Sequence, residues 1–203
     1  MEKYLGYIDK AVQLAKLKEQ IEQCTKCRNL VESRKLYPYG KGVIGYGNLD
    51  SKLFFCGEAP GHLGCGRTGK PFMGDRSGEM YFKALKESGL EYDQVYTTNI
   101  VKCCPLANRT PIKEEIENCR IWLKKEIDIV NPRIIVCLGR TAANWFGLRQ
   151  SLNSLVDIYN YEGRLVKVLY HPAYPLRCGS QAVLQWITLF KLTIRELRKN
   201  ESI

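Results

Sequence analysis

Residues 94–103 read QVYTTNIVKC, a short β-branched and aromatic run that closes on an amide, Asn99, and then a cysteine. A β-branched and aromatic run of this length predicts a strand. Three other segments have the same character. KLFFCG (52–57) and NPRIIVCLG (131–139) each end in glycine, and RLVKVLYHP (164–172) ends in histidine and proline. Helical spacing falls between them. Apolar periodicity predicts helices over 8–23, over GEMYFKALKESGL after residue 77, over 112–129, from TAANWFG onward, and over 181–199. Strands alternating with helices imply an α/β fold, a parallel sheet covered on both faces. Gly57, Asn99, Gly139 and His171 then all fall at the carboxyl ends of strands, where open α/β sheets place their ligands.

The connections carry the remaining signal. GEAPGHLGCGRTGKPFMGDRSG (57–78) is a long glycine-rich loop, and loops of this length inside a compact domain are usually functional. Ser77 is expected to cap the helix that follows, with Glu79 in its first turn. AYPLRCGS (173–180) reads as a second loop. The segment GEAPG offers the carboxylate of Glu58 among small residues, Gly57, Ala59, Pro60 and Gly61, which permit close backbone approach to a ligand. Phe72 offers an aromatic face. Asn99 offers an amide that can pair with a carbonyl and an N–H together. His171 is one of two histidines. Singly, each is more often structural. Together at strand ends they have the makings of a pocket for a base taken out of its stack.

At 203 residues with 45% hydrophobic content, the chain is expected to form a single domain over 1–203. It has no apolar stretch of about 18 residues, so no membrane partner is expected. The charged N-terminus is unlike a secretory signal, and a cytoplasmic location is expected. Thirty-one basic residues against 21 acidic ones, a net +10, suit a polyanionic partner such as nucleic acid. In a reducing compartment the nine cysteines suggest metal or redox work over disulfides. CTKC (24–27) provides one close pair, and Cys119 a distant partner. The third thiolate is Cys103 or Cys104. One CxxC with two isolated cysteines suits a cubane cluster better than the paired knuckles of a zinc ribbon. Cys56 and Cys137 read as buried free thiols.

GEAPG, GRTGKPFMG, YTTNIVKC, NRTP, LGRTA and YHPAYPLR, in that order, resemble the iron–sulfur uracil-DNA glycosylases, from Cys24 to the C-terminal helix. The resemblance implies a three-layer α/β/α sandwich around a central, mainly parallel four-stranded sheet. It implies a 4Fe–4S cluster held by Cys24, Cys27, Cys103 and Cys119, with Cys103 chosen because it follows directly on VK. Glu58 and Ala173 look like family four, the uracil-specific enzymes. The loop after GEAPG looks like family five, whose members take a wider range of deaminated bases and use an acid at the position of Asp75.

The implied reaction is hydrolysis of the N-glycosidic bond of uracil in DNA. Uracil would stack on Phe72 and pair with Asn99, His171 would stabilise the departing base, and Glu58 or Asp75 would orient water. Tyr174 and Leu176 are expected to wedge into the DNA, and Arg177, Lys70, Arg67 and Arg109 to meet phosphates. The expected partners are uracil-containing DNA and the product uracil; a monomer is expected, and no sliding-clamp peptide is evident. The alternatives are a glycosylase of broader specificity, acting on hypoxanthine or xanthine, and a non-catalytic iron–sulfur DNA-binding protein.

Overall fold

A computed structural model describes residues 2–149 and 158–201. Its centre is a six-stranded sheet in the order β1-β3-β2-β4-β6-β5. The four strands expected from sequence form the parallel middle: β2 (Leu53–Gly57), β3 (Tyr96–Asn99), β4 (Ile134–Leu138) and β6 (Arg164–Leu169). Two antiparallel edge strands, β1 (Tyr46–Gly47) and β5 (Tyr159–Tyr161), extend the four-stranded expectation to six.

Alternation along the strands divides the core into two layers. Phe54, Cys56, Tyr96, Ile135, Cys137, Val166 and Val168 face α1 (Glu2–Glu22), α2 (Arg28–Lys35), α5 (Lys113–Val130) and α6 (Arg140–Trp145). Leu53, Phe55, Ile134, Val136, Leu138 and Leu169 face α4 (Arg76–Glu87) and α8 (Ser180–Glu201). Both faces of β2 and β4 are apolar, as a sheet covered on two sides requires. Cys56 and Cys137 are fully buried free thiols in these strands.

Three local expectations change. The 57–78 loop contains a short helix, α3 (Cys65–Thr68). Helix α4 is capped by Asp75, whose Oδ1 accepts from Gly78 N at 2.8 Å; Ser77 lies inside the first turn and donates to the same oxygen at 2.6 Å. Both residue types suit a cap. The backbone decides between them, since Asp75 is the one left extended while Ser77 is already helical. The segment expected as the loop AYPLRCGS is largely a helix, α7 (Ala173–Cys178), which tolerates Pro175 because it lies in the first turn. Among the described residues no helix is long and apolar enough to cross a membrane.

Candidate active site

At the carboxyl ends of β2, β3 and β6 lies a pocket of about 410 Å³. Glu58, Ala59, Pro60 and Gly61 enter from β2, Asn99 from β3, His171 from β6, and Phe72 and Asp75 from the loop before α4. Glycines make this convergence possible. A Cβ on Gly57 would stand 2.5 Å from Asn99 Oδ1 and 2.8 Å from Phe72 Cζ, so Gly57 keeps the pocket floor open. A Cβ on Gly78 would stand 1.6 Å from the Phe72 carbonyl oxygen, which fixes how closely α4 underlies the aromatic platform. Phe72 itself adopts a positive φ of 57°, and its ring lies 4.9 Å from that of Tyr81 and 5.6 Å from that of His171. Tyr81 is a core residue, fully buried and hydrogen-bonded to Thr97 at 2.9 Å.

His171 is fixed in one tautomer. The Ala173 N–H donates to its Nδ1 at 3.2 Å, so the neutral ring carries its proton on Nε2. Burial pushes its pKa down to about 4; the carboxylate of Asp75 works against this, and the Arg177 cation adds to it. The imidazole is therefore neutral near pH 7, a hydrogen-bond donor without a charge.

The two carboxylates are held differently. Glu58 Oε2 accepts a short hydrogen bond from Thr141, in the first turn of α6. Asp75 commits Oδ1 to the cap of α4, while Oδ2 faces Gly61 and Gly64 across the pocket wall. Asn99 is braced from below by Lys102, whose buried ammonium donates to the Asn99 carbonyl at 2.7 Å, to Thr98 Oγ1 at 2.8 Å and to Glu126 Oε2 at 2.6 Å. The second oxygen of Glu126 accepts from Gly45 N at 2.7 Å. This buried pair is satisfied on every side that matters for its charge, the condition under which such pairs are tolerated. Sequence reasoning passed over both residues, because an isolated lysine and an isolated glutamate normally read as surface.

Of the expected DNA contacts, Arg177 lines the pocket and is exposed. Tyr174 is exposed and stacks on Tyr170 at 4.7 Å. Leu176 is half-buried and packs against the layer under α4 and α8. Arg109 forks onto Glu115 at 2.8 and 2.5 Å, and Glu115 in turn accepts from Ile112 N at 3.0 Å. Arg109 thus locks the start of α5.

The cysteines gather in the layer of α1, α2 and α5. Cys24 and Cys27 lie at the junction of α1 and α2, Cys103 just past β3, and Cys119 in α5. Burial raises the pKa of Cys27, Cys103 and Cys119, the last to about 12. The thiols also sense one another: Cys24 acts on Cys27 and Cys103, and Cys27 and Cys103 both act on Cys119. Cys104 turns away, with its Sγ 3.3 Å from where a Gly66 Cβ would be, and among the thiols only Cys103 raises its pKa, which burial has already driven to about 12. No three of the described His, Cys, Asp and Glu side chains stand at the spacing for a single metal ion.

Donors surround the sulfurs: Asn118 Nδ2 to Cys27 at 3.5 Å, Lys102 N to Cys119 at 3.4 Å and Arg34 Nη1 to Cys103 at 3.3 Å. Arg34 is buried, and its other partners are the carbonyls of Glu22 and Cys24 at 3.0 and 3.1 Å, with no carboxylate among the described residues. A buried guanidinium on the Cys103 thiol fits an anionic thiolate-bound group, which would supply its missing counter-charge.

The α/β/α fold thus brings a carboxylate, an aromatic ring, an amide and an imidazole together on one strand-end pocket. A profile of the uracil DNA glycosylase superfamily matches residues 44–196. The chain is 37% identical over 190 residues to the type-4 uracil-DNA glycosylase of Thermotoga maritima, covering 91% of each chain. It is 38% identical over 164 residues to the type-4 uracil-DNA glycosylase of Archaeoglobus fulgidus, covering 76% of this chain and 78% of that one. Against the type-5 uracil-DNA glycosylase of Pyrobaculum aerophilum it is 32% identical over 183 residues, covering 76% and 80%. The chain belongs to the uracil-DNA glycosylase superfamily.

Proposed function

We propose that this chain is a monofunctional uracil-DNA glycosylase of the type-4 kind, hydrolysing the N-glycosidic bond of deoxyuridine in DNA and leaving an abasic site for base excision repair. The observation that carries the reading is the neutral His171 donor converging with Asn99 and Phe72 on one pocket. A nucleotide turned out of the stack would bring its base onto Phe72, at a cost of about a few kcal/mol in lost pairing and stacking. Asn99 would hydrogen-bond uracil O4 and N3–H. As the bond to the sugar breaks, negative charge builds on the base, and the His171 Nε2–H would donate to O2 as that charge develops. A neutral donor suits this role, because it stabilises the anion without first giving up its proton. Glu58, oriented by Thr141, and Asp75, through Oδ2, are the two acids that would orient water or face the cationic sugar. Arg177 and Tyr174 would lie against the DNA.

Cys24, Cys27, Cys103 and Cys119 would hold a 4Fe–4S cluster. When bound, it would supply a covalent tie between α1, α5 and the end of β3. The electrostatic coupling among the four thiols supports one group shared by all of them. Arg34 and Asn118 would direct their N–H groups at the ligating sulfurs.

The test is excision from a duplex carrying one deoxyuridine, with a visible spectrum and iron content on the same sample. Conversion to an abasic site and a brown, iron-containing protein are expected. An inactive protein would overturn the enzymatic reading, and a colourless zinc protein the cluster. Equal release of hypoxanthine would move the chain to the broader specificity.

A further inference from the structure

Arg34 and Lys102 are buried cations with opposite surroundings. Lys102 has the Glu126 carboxylate at 2.6 Å. Arg34 is 6% exposed, and among the described residues it has no carboxylate and its Nε has no hydrogen-bond partner. Nη2 donates to the backbone carbonyls of Glu22 and Cys24, and Nη1 donates to Cys103 Sγ at 3.3 Å. The Glu22 carboxylate is engaged elsewhere, accepting from Tyr39 Oη at 2.9 Å and Lys41 Nζ at 3.0 Å. The chain also closes over the guanidinium, since a Cβ on Gly42 would stand 3.3 Å from Nη1. A cation shut away from water without a counter-ion is costly, so its position needs a reason.

The reason lies at the sulfur. Ser33, the neighbour of Arg34 in α2, donates from Oγ to the Cys104 carbonyl at 2.8 Å. Two successive residues of α2 thus grip the Cys103–Cys104 segment, one at the backbone and one at the thiol. The other donors to these sulfurs among the described residues, Asn118 Nδ2 and the Lys102 N–H, are neutral dipoles. Arg34 brings a full charge. A cubane held by four thiolates is anionic, and its potential follows its net charge and the hydrogen bonds to its sulfurs. A fixed cation touching one of those sulfurs favours the state with more electrons, and burial leaves that attraction weakly screened.

We infer that Arg34 sets the redox stability of the thiolate-bound group: its charge disfavours loss of one electron to dioxygen, which would leave as superoxide. In doing so it preserves the tie between α1, α5 and the end of β3. The inference rests on the cluster reading above. It concerns the durability of the scaffold and not the hydrolysis, in which no electron changes hands.

The test compares wild type, Arg34→Met, Arg34→Lys and Ser33→Ala after anaerobic reconstitution with iron and sulfide. Iron content, the midpoint potential of the visible absorption and its bleaching rate in air are measured. Arg34→Met should shift the redox equilibrium about tenfold or more toward the oxidised form, about 59 mV for one electron, and bleach about tenfold faster. Arg34→Lys should recover most of that shift. Ser33→Ala, which loosens the same segment without removing a charge, should leave the potential in place. An unshifted potential in Arg34→Met, or a shift of the same size in Arg34→Lys or Ser33→Ala, would overturn the inference. Iron lost from Arg34→Met but kept by Arg34→Lys would support it, because both long side chains fill the site and only one is charged. Iron lost from both would overturn it by making Arg34 a residue of assembly. A wild type that holds no iron would instead overturn the cluster reading beneath it.

Discussion

The pocket lies at the carboxyl ends of the strands and the cysteine face in the layer of α1, α2 and α5, and they are built by different means. The pocket is made from backbone freedom. Gly57 and Gly78 leave out side chains so that Asn99, Phe72 and α4 can close together, and its key donor is an uncharged imidazole. The cysteine face is made from buried charge, with Arg34 set among thiols and carbonyls. Lys102 touches both: its backbone N–H donates to Cys119 Sγ and its ammonium to the Asn99 carbonyl. The contrast teaches that reaction and scaffold are separable here, with one residue as the joint.

The largest effect should fall on the pocket alone. His171→Ala is expected to lower single-turnover excision by about 10²–10³-fold, with iron content and DNA affinity near wild type. Parallel loss of affinity would break the division between chemistry and binding. Lys102→Met should damage both regions, because it strands the Glu126 carboxylate in the core. A stability loss of about 3–5 kcal/mol in urea unfolding is expected, largely recovered when Glu126→Gln is added. An unaltered midpoint would remove Lys102 as the joint.

Gly57→Ala sharpens the comparison from the pocket side. Its Cβ would displace Asn99 and Phe72, so inhibition by free uracil should weaken by about tenfold, or about 1.4 kcal/mol, with the visible spectrum unchanged. The smallest effect is expected for Thr141→Val, which frees Glu58. A rate loss worth about 1 kcal/mol or less would match one lost hydrogen bond, measured as kcat at saturating DNA.

Much of this was legible in the chain itself, for identifiable reasons. The middle strands are β-branched, aromatic or apolar runs that close on Gly57, Asn99, Gly139 or the His171–Pro172 step, so both the sheet and its ligand edge could be read. The edge strands could not. Tyr46–Gly47 and Tyr159–Tyr161 are two and three residues long and only partly buried, too short to show alternation. Helix α7 was hidden by Pro175 and Gly179, which read as loop signals until the proline is placed in a first turn. The four pocket residue types and the CTKC pair stand out by chemistry. Arg34, Lys102, Glu126 and Thr141 do not, because their significance comes only from what folding places beside them.

The central claim is that a neutral His171 performs the electrostatic work in the pocket. Its folded pKa, about 4, lies below the ordinary 6.5, so between those values the unfolded chain binds the extra proton and stability rises with pH. The most direct measurement is the pH profile of kcat/KM for uracil excision, which reports the ionisations of the free enzyme. The account predicts no inflection attributable to His171 between about pH 5.5 and 8, with activity lost only as pH approaches about 4. An inflection near 6.5 that disappears in His171→Gln would contradict it, because the working histidine would then carry an ordinary, titrating proton.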